Sequence, residues 1–193
     1  CILISMPIVR QCVINHDELV QRYASLDGFI SSFKYGISNE IRMGRPTRIL
    51  AAFNTSMSFI FRNIFISRTI QCLLILLSVF LLSYFMKLMT KNKYYPFFIF
   101  ITTLLFIPIT FEHCPPNAFN GLVLIPLIEL LSSFIVYKKY FLENKKFIYL
   151  FISVVLFFVA SLGYEFVILY VFLYPIIYYQ HIKKFNVKNI LKN

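Results

Sequence analysis

The sequence predicts an all-α fold, a polytopic transmembrane helical bundle with a long outer loop that contains amphipathic interfacial helices. The first observation is composition, because 59% of the 193 residues are hydrophobic whereas soluble domains are about 45–50% apolar. The second is the mean hydropathy of +0.74. The third is a series of long apolar segments divided by short polar turns, since a spanning helix needs about 20 apolar residues.

The chain opens with an apolar stretch, 1–9, which we interpret as the outer end of a first membrane helix that is cut short. We therefore expect the sequence to be an N-terminal fragment, or one domain, of a longer membrane protein. Residues 10–69 then form the predicted outer loop. Within it Asn15 can cap a helix with Glu18 in the capping-box position. Apolar residues follow at the helical spacing of an interfacial amphipathic helix, at Leu19, Tyr23, Leu26, Ile30 and Phe33.

In the second half of the predicted outer loop, the sequence indicates a helix break followed by another helix. Gly36 to Asn39 is the predicted break. An arginine-rich turn follows, in which Pro46 suits the first position of a helix from about Thr47 to Ile64. The apolar part of that helix is too short to cross about 30 Å of hydrocarbon. We expect it to lie in the interface or to pack on the bundle.

Five spanning segments are predicted after the loop, at about 70–89, 95–111, 118–137, 147–161 and 165–180. The last two come from one apolar run, 147–180, which as a single helix would be about 51 Å long and would exceed the bilayer. We therefore place a break within 161–165. The whole chain, 1–193, is then a single transmembrane domain.

Basic residues predict which side of the membrane each turn occupies. Lysines cluster on one side of the predicted arrangement, at 87–93, 138–146 and 183–192. The positive-inside rule makes that side cytoplasmic, so that 10–69, 112–117 and 161–165 are extracytoplasmic. We attribute the net charge of +11 to topology and to contact with membrane lipids, and not to nucleic-acid binding.

This topology brings ionisable residues together on the extracytoplasmic face, namely Asp17, Glu18, Glu112, His113 and Glu165. A hydroxyl that attacks a phosphate-activated carbon needs a carboxylate to take its proton and a cation to stabilise the departing phosphate. Arginine binds phosphate in a bidentate manner, and the loop is rich in arginine. The other interpretation is that acidic residues on short loops simply face water.

Four short motifs follow one another along the chain. They are Asp17-Glu18, Arg22, Gly44-Arg45-Pro46 and, in the loop between the third and fourth helices, Glu112-His113. In this the chain resembles the GT-C superfamily of polyprenyl-phosphate-dependent membrane glycosyltransferases, and in particular the bacterial O-antigen glucosyltransferase type. Members of that family are much longer, and they often have Asp-Asp where this chain has Asp-Glu. Which of the two acids would be the base therefore stays open.

The resemblance implies an enzyme of the bacterial plasma membrane that moves a sugar, with inversion, from a lipid-linked polyprenyl-phosphate donor to an extracytoplasmic glycan or lipid acceptor. It implies that Asp17 is the general base and that Glu18 and Glu112 orient sugar or acceptor hydroxyls. Lipid phosphate would be held by arginines, at Arg22, Arg42 and Arg45. Some GT-C enzymes use a divalent cation and others do not, so no metal site is assigned.

Other roles stay open for the remaining polar residues. His113 is either a substrate-binding proton relay or a polar cap of a helix end, and Glu165 either lines the substrate cavity or terminates a turn. Glu129 lies within a predicted span, where a carboxylate is unfavourable unless it faces the bundle interior or water. It supports the alternative function of a non-enzymatic transporter, flippase or polysaccharide-export component. A disulfide between Cys12 and Cys114 is a further alternative.

Overall fold

The computed structural model describes residues 28–45, 48–58, 64–90, 94–106, 122–142 and 146–190. These ranges are helical apart from short turns, and no strand occurs within them. The α-helices are α1 (Phe29–Arg42), α2 (Ile49–Ser58), α3 (Ile64–Thr90), α4 (Tyr95–Phe106), α5 (Leu124–Leu142), α6 (Phe147–Gly163) and α7 (Leu173–Ile190). A 3₁₀ helix, Glu165–Phe172, lies between α6 and α7. The all-α class predicted from the sequence is thus confirmed for the described ranges.

Two stretches are long and apolar enough to cross a membrane, namely Arg68–Thr90 in α3 and Glu165–Ile182, which joins the 3₁₀ helix to α7. Two shorter apolar helices, Tyr95–Leu105 and Phe147–Gly163, accompany them. Large apolar side chains are exposed along α6 and the 3₁₀ helix, with Phe147 73% and Phe172 71% exposed. Apolar surface of this extent indicates contact with lipid or with another protein.

α1 and α2 form a close hairpin because small residues face each other at every fourth position. A Cβ atom added to Gly36 would lie 3.0 Å from the Cβ atom of Ala52. One turn away, the Ser32 hydroxyl donates a hydrogen bond to Ser56 Oγ at 3.3 Å. Small residues spaced in this way allow two backbones to approach, and they are common between membrane helices.

The prediction of a break at Gly36 to Asn39 was wrong, because α1 continues through these residues to Arg42. Gly36 serves the close approach to Ala52 and does not form a turn. The helix ends instead at Gly44, whose φ of 74° lies in the left-handed region that favours glycine. Hydrogen bonds from Gly44 N to Ile41 O and from Arg45 N to Glu40 O complete a Schellman cap.

The interior of the bundle lies between α3, α5, α6 and the segment that follows α6. Its main apolar cluster contains Phe85, Leu130, Phe134, Ile135, Ala160, Val167 and Ile177. A second cluster joins Ile75 and Val79 of α3 to Leu124 of α5. Because the earlier residues of α3 meet the start of α5 and Phe85 meets Phe134, these two helices run parallel.

Buried hydroxyl groups join α5, α6 and α7 at the centre of the bundle. Ser133 and Ser153 are both 0% exposed. The Ser153 hydroxyl donates to the Ser133 carbonyl at 3.0 Å, and the Ser133 hydroxyl donates in return to the Ser153 carbonyl. The Tyr174 hydroxyl bonds to Ser133 Oγ. Each of these buried polar groups therefore has a partner.

The helix bounds differ from the predicted segments at several ends. α3 begins at Ile64 and not near residue 70, because Arg68 and Gln71, each 1% exposed, lie on its packed face. α5 extends to Leu142, past the predicted end near 137. The chain leaves the helical conformation at Tyr164, whose φ is −152°. This position lies within 161–165, the range in which the sequence placed a break. Of the predicted helix from about Thr47 to Ile64, α2 is the described portion, and 59–63 lie outside the described residues.

Candidate functional site at the Arg48–Glu165 junction

The tip of the α1–α2 hairpin meets the junction between α6 and the 3₁₀ helix through a buried arginine. Arg48 Nε lies 2.9 Å from Glu165 Oε2, and its Nη1 atom lies 3.6 Å from Glu40 Oε2. The Arg48 side chain is only 5% exposed. A buried guanidinium between two carboxylates is compensated in charge, which a buried cation requires.

Local structure explains why Arg48 occupies this position. The Schellman cap at Gly44 reverses the chain after Glu40, and Arg48 N then donates to Arg45 O at 3.1 Å. Arg48 lies immediately before α2, where its carbonyl accepts a hydrogen bond from Ala52 N at 3.3 Å. One tight turn therefore places the Glu40 carboxylate and the Arg48 guanidinium on the same side of the hairpin tip.

Tyr164 provides the other wall of this site. Its ring lies beneath Arg48 Cζ, at 5.4 Å from the ring centroid, a distance suited to a cation–π contact. Its backbone is extended, so α6 ends here and Glu165 begins the 3₁₀ helix. The Tyr164 carbonyl accepts the first 3₁₀ hydrogen bond, from Val167 N at 3.0 Å. Arg48 thus contacts both residues at the junction.

Arg45 and Glu165 form the accessible part of the site. Arg45 Nη1 lies 3.9 Å from Glu165 Oε1, and the two side chains are 51% and 38% exposed. Exposed pairs at such distances contribute little to stability, about 0–1 kcal/mol. The half-exposed Arg45 guanidinium is therefore accessible to an anion. Glu165 is held by Arg48 on one oxygen and is accessible to a hydroxyl donor on its other side.

Three of the residues predicted for the site lie in the described part of the chain. The structure brings Arg45 and Glu165 together. Arg42, by contrast, is exposed and donates to Asn39 Oδ1 at 3.1 Å. The other predicted members lie outside the described residues, and their roles stay predictions: Asp17, Glu18, Arg22, Glu112 and His113.

Sequence reasoning did not assign Glu40 and Arg48 to the site. Arg48 was treated as one member of an arginine-rich turn, and Glu40 was not given a role. The available signal was position, because the two residues flank Gly44 and a helix that ends at this glycine brings them together. Because the helix break was predicted at Gly36 to Asn39, Gly44 was not recognised as the end of the helix.

No group of three or more histidine, cysteine, aspartate or glutamate side chains within the described ranges could hold a metal ion. A divalent cation therefore stays a possibility that depends on Asp17, Glu112 and His113, which lie outside those ranges. Cys12 and Cys114, between which a disulfide was an alternative, also lie outside those ranges, and Cys72 is a buried free thiol.

The opposite end of the bundle is closed by a second polar cluster. Gln180 Nε2 donates to the carbonyl of Met89 at 2.6 Å, which satisfies a backbone group at the end of α3. Lys138 Nζ, at the end of α5, donates to Gln180 Oε1 at 3.1 Å. These bonds gather the ends of α3 and α5 against α7, far along the bundle from Glu165.

Glu129 is the acidic residue in the middle of α5. One of its carboxylate oxygens, Oε2, is buried and makes no hydrogen bond within the described part of the chain. Neither Arg45 nor Arg48 pairs with it in the described contacts. Glu129 is therefore a separate feature of the bundle interior.

Comparison of the chain with protein-family models, with curated proteins and with solved structures finds no match.

Proposed function

We propose that the chain acts as an integral membrane glycosyltransferase of the GT-C type, which moves a sugar from a polyprenyl-phosphate donor to an extracytoplasmic glycan or lipid acceptor. The observation that carries this proposal is the pairing of a half-exposed guanidinium, Arg45, with a partly exposed carboxylate, Glu165, at 3.9 Å. The reaction needs a cation for the departing phosphate and carboxylates for the attacking hydroxyl. Both kinds of group are present here.

The membrane arrangement of this proposal is a polytopic bundle whose hairpin α1–α2 belongs to the extracytoplasmic loop. The exposed apolar side chains of α6 and the 3₁₀ helix then face lipid, as do those of α4. The lysine-bearing end, with Lys138 and Gln180, is cytoplasmic. A lipid-borne phosphate could then reach Arg45 from the bilayer side while its sugar lies next to Glu165.

In the proposed mechanism the roles of Arg45, Glu165 and Arg48 follow from how exposed their side chains are. Arg45 binds the lipid phosphate and stabilises its charge as the sugar leaves. Glu165 accepts hydrogen bonds from sugar or acceptor hydroxyls. Arg48 is buried and holds Glu165 in place. Asp17 takes the proton of the attacking hydroxyl, and an inverting transfer needs no covalent sugar intermediate.

The first experiment measures recognition of the lipid phosphate. The purified protein in lipid nanodiscs is titrated with polyprenyl phosphate and, in parallel, with the uncharged polyprenol, and its thermal unfolding is followed. We expect polyprenyl phosphate to raise the unfolding midpoint and polyprenol not to do so. Arg45→Gln should remove most of this difference, whereas Arg42→Gln, which changes an arginine bound to Asn39, serves as the matched control.

The second experiment measures transfer in membranes that contain the endogenous acceptor. We expect Asp17→Asn to abolish transfer of labelled sugar from the polyprenyl-phosphate donor while the protein accumulates at its normal level. Full transfer by that variant would show that Asp17 is not the base. Equal binding of polyprenyl phosphate and polyprenol would show that Arg45 does not recognise the lipid phosphate.

A second candidate function is transport of a solute or lipid without chemistry, and the observation that favours it is Glu129. A buried carboxylate oxygen that has no hydrogen-bond partner among the described residues is suited to a proton or a cation that passes through. On this alternative Glu129→Gln would impair function more than Asp17→Asn does. A side-by-side comparison of the two variants therefore separates the candidates.

A further inference from the structure

The α1–α2 hairpin exposes a stripe of apolar side chains along α1. Ile30 is 68% exposed and Ile41 is 58% exposed. Lys34 and Ile37 lie between them, so that successive members of the set are four, three and four residues apart. Residues at these spacings lie on one face of an α-helix. α1 therefore has one continuous stripe in which a lysine accompanies three isoleucines.

α2 continues this stripe on the same side of the hairpin. The ring of Phe53 lies edge-on to Phe29 and Phe33 of α1, with ring centroids 5.8 Å and 6.1 Å apart. Phe33 is three residues from Ile30, and Ile49 lies one turn before Phe53, so each pair is adjacent on its helix. Ile49 is 52% exposed and Phe53 is 39% exposed. The hairpin apolar face is therefore formed by both helices: Ile30, Ile41, Ile49 and Phe53.

The side of the hairpin away from this face is different in character. α2 packs against α6, and Ala51, which is 1% exposed, lies about 160° around α2 from Ile49. On α1, Tyr35 lies about 140° around the axis from Ile30. Its neighbours on that side of α1 are hydroxyl-bearing, Ser31 and Ser38. The hairpin is thus amphipathic as a unit.

The charges of the hairpin favour a lipid surface as the partner of the apolar face. Glu40 is the single carboxylate among residues 28–58, and it lies against Arg48. In the described part of the hairpin the exposed charged side chains are therefore all cationic: Lys34, Arg42 and Arg45. Lys34 lies within the apolar stripe itself. A lysine in such a place buries its methylene stem among apolar groups while its ammonium contacts lipid phosphates.

A bilayer also lies within reach of this face, because the bundle on which the hairpin packs contains two stretches long and apolar enough to cross a membrane. We propose that the hairpin apolar face is seated in the phospholipid bilayer where headgroups meet acyl chains, with the Lys34 ammonium on lipid phosphates. Amphipathic helices bury their apolar side about 5–10 Å into this region. The sequence predicted an interfacial stripe through Ile30 and Phe33 on one helix, and the proposal assigns the contact to a face that α2 shares. It does not depend on the proposed glycosyl transfer.

Fluorescence of single tryptophans tests the proposal, because the chain contains no tryptophan. Ile30→Trp and Ile49→Trp place the reporter on the apolar face, and Tyr35→Trp places it at an exposed position on the other side of α1. Each variant is reconstituted in vesicles of phosphatidylcholine and phosphatidylglycerol. Phosphatidylcholine brominated on its acyl chains quenches from the lipid, and acrylamide quenches from water. We expect brominated lipid to quench Ile30→Trp and Ile49→Trp several-fold more strongly than Tyr35→Trp, and acrylamide to give the opposite order.

Two controls accompany the measurement. Phe151→Trp, at a position of α6 that is 55% exposed, provides the reference for a lipid-facing side chain of the bundle. Oxidative cross-linking of Ser32→Cys with Ser56→Cys, whose native hydroxyl oxygens are 3.3 Å apart, shows whether the hairpin stays closed in each tryptophan variant. The native cysteines are replaced by serine for that control.

Three outcomes would overturn the proposal. Equal quenching of Ile30→Trp and Tyr35→Trp by brominated lipid would show that neither side of the hairpin is preferred by the bilayer. Protection of Ile30→Trp and Ile49→Trp from both quenchers would show that protein covers the face. Quenching of these two variants by acrylamide alone, with Phe151→Trp quenched by brominated lipid, would show that the face lies in water beside an inserted bundle.

Discussion

Arg48 and Glu165 form an ion pair, with 2.9 Å between Nε and Oε2, that joins the α1–α2 hairpin to the first residue of the 3₁₀ helix. The contrast with Arg45 is informative, because both arginines approach the same carboxylate. The Arg48 side chain is 5% exposed and that of Arg45 is 51% exposed. Burial therefore assigns them different roles, with Arg48 structural and Arg45 available to a ligand.

The first prediction concerns stability. Arg48→Gln leaves Glu40 and Glu165 near each other without their shared cation, and breaking a buried pair in this way costs about 3 kcal/mol. Arg45→Gln should change the free energy of unfolding by less than about 1 kcal/mol. Unfolding titrations in mixed detergent micelles measure both. Equal effects of the two substitutions would contradict the division of roles.

The second prediction concerns the contact between α1 and α2. Gly36→Leu introduces a side chain where even a Cβ atom would be 3.0 Å from Ala52, so the helices must separate, at a cost of about 1–3 kcal/mol. Oxidative cross-linking of Ser32→Cys with Ser56→Cys reports the separation, because the two hydroxyl oxygens are 3.3 Å apart. We expect efficient cross-linking with Gly36 present and a marked loss when Gly36→Leu is added.

Lys34→Leu is the matched control, because this substitution adds a leucine at an exposed position of the same helix. It should leave the cross-linking yield unchanged. A yield that Gly36→Leu does not alter would show that α1 and α2 do not approach through these small residues.

The third prediction concerns the hydroxyl network of Ser133, Ser153 and Tyr174. Because the Tyr174 hydroxyl bonds to Ser133 Oγ, Ser133→Ala and Tyr174→Phe should not be additive. A double-mutant cycle in detergent should give a coupling energy of about 0.5–1.5 kcal/mol, the range found for hydrogen bonds between membrane helices. Tyr137→Phe is a suitable control, since Tyr137 contacts Tyr174 through its ring. Additive effects of Ser133→Ala and Tyr174→Phe would exclude this hydrogen bond.

Composition and periodicity were sufficient to predict the helical class, because apolar runs of this length have few other solutions. They were not sufficient to predict that the helix continues through Gly36. A lone glycine weakens a helix in isolation, whereas here the gain from close packing against Ala52 decides the outcome. The same holds for Arg68, which was placed in a loop as a charged residue and is instead 1% exposed on the packed face of α3.

The candidate site could be predicted only in part for a similar reason. Arg45 was selected through the resemblance to GT-C enzymes, and Glu165 was selected because the predicted topology placed the 161–165 turn on the extracytoplasmic face. Their separation of 3.9 Å depends on how the hairpin packs on α6, which no local pattern encodes. Arg48 was missed as a member because its burial, and not its residue type, distinguishes it from the neighbouring arginines.

The last prediction tests the sidedness on which the proposed function depends. Met43, 58% exposed, lies at the hairpin tip, and Leu142, 52% exposed, lies at the lysine-bearing end of α5. In a cysteine-free background, a membrane-impermeant maleimide added to intact cells should label Met43→Cys. Leu142→Cys should react only after permeabilisation, since the positive-inside rule places this end in the cytoplasm. Tyr94→Cys, 69% exposed just before α4, should behave like Leu142→Cys. If Met43→Cys reacted only after permeabilisation, Arg45 and Glu165 would not form an extracytoplasmic site, and a donor on that side of the membrane could not reach them.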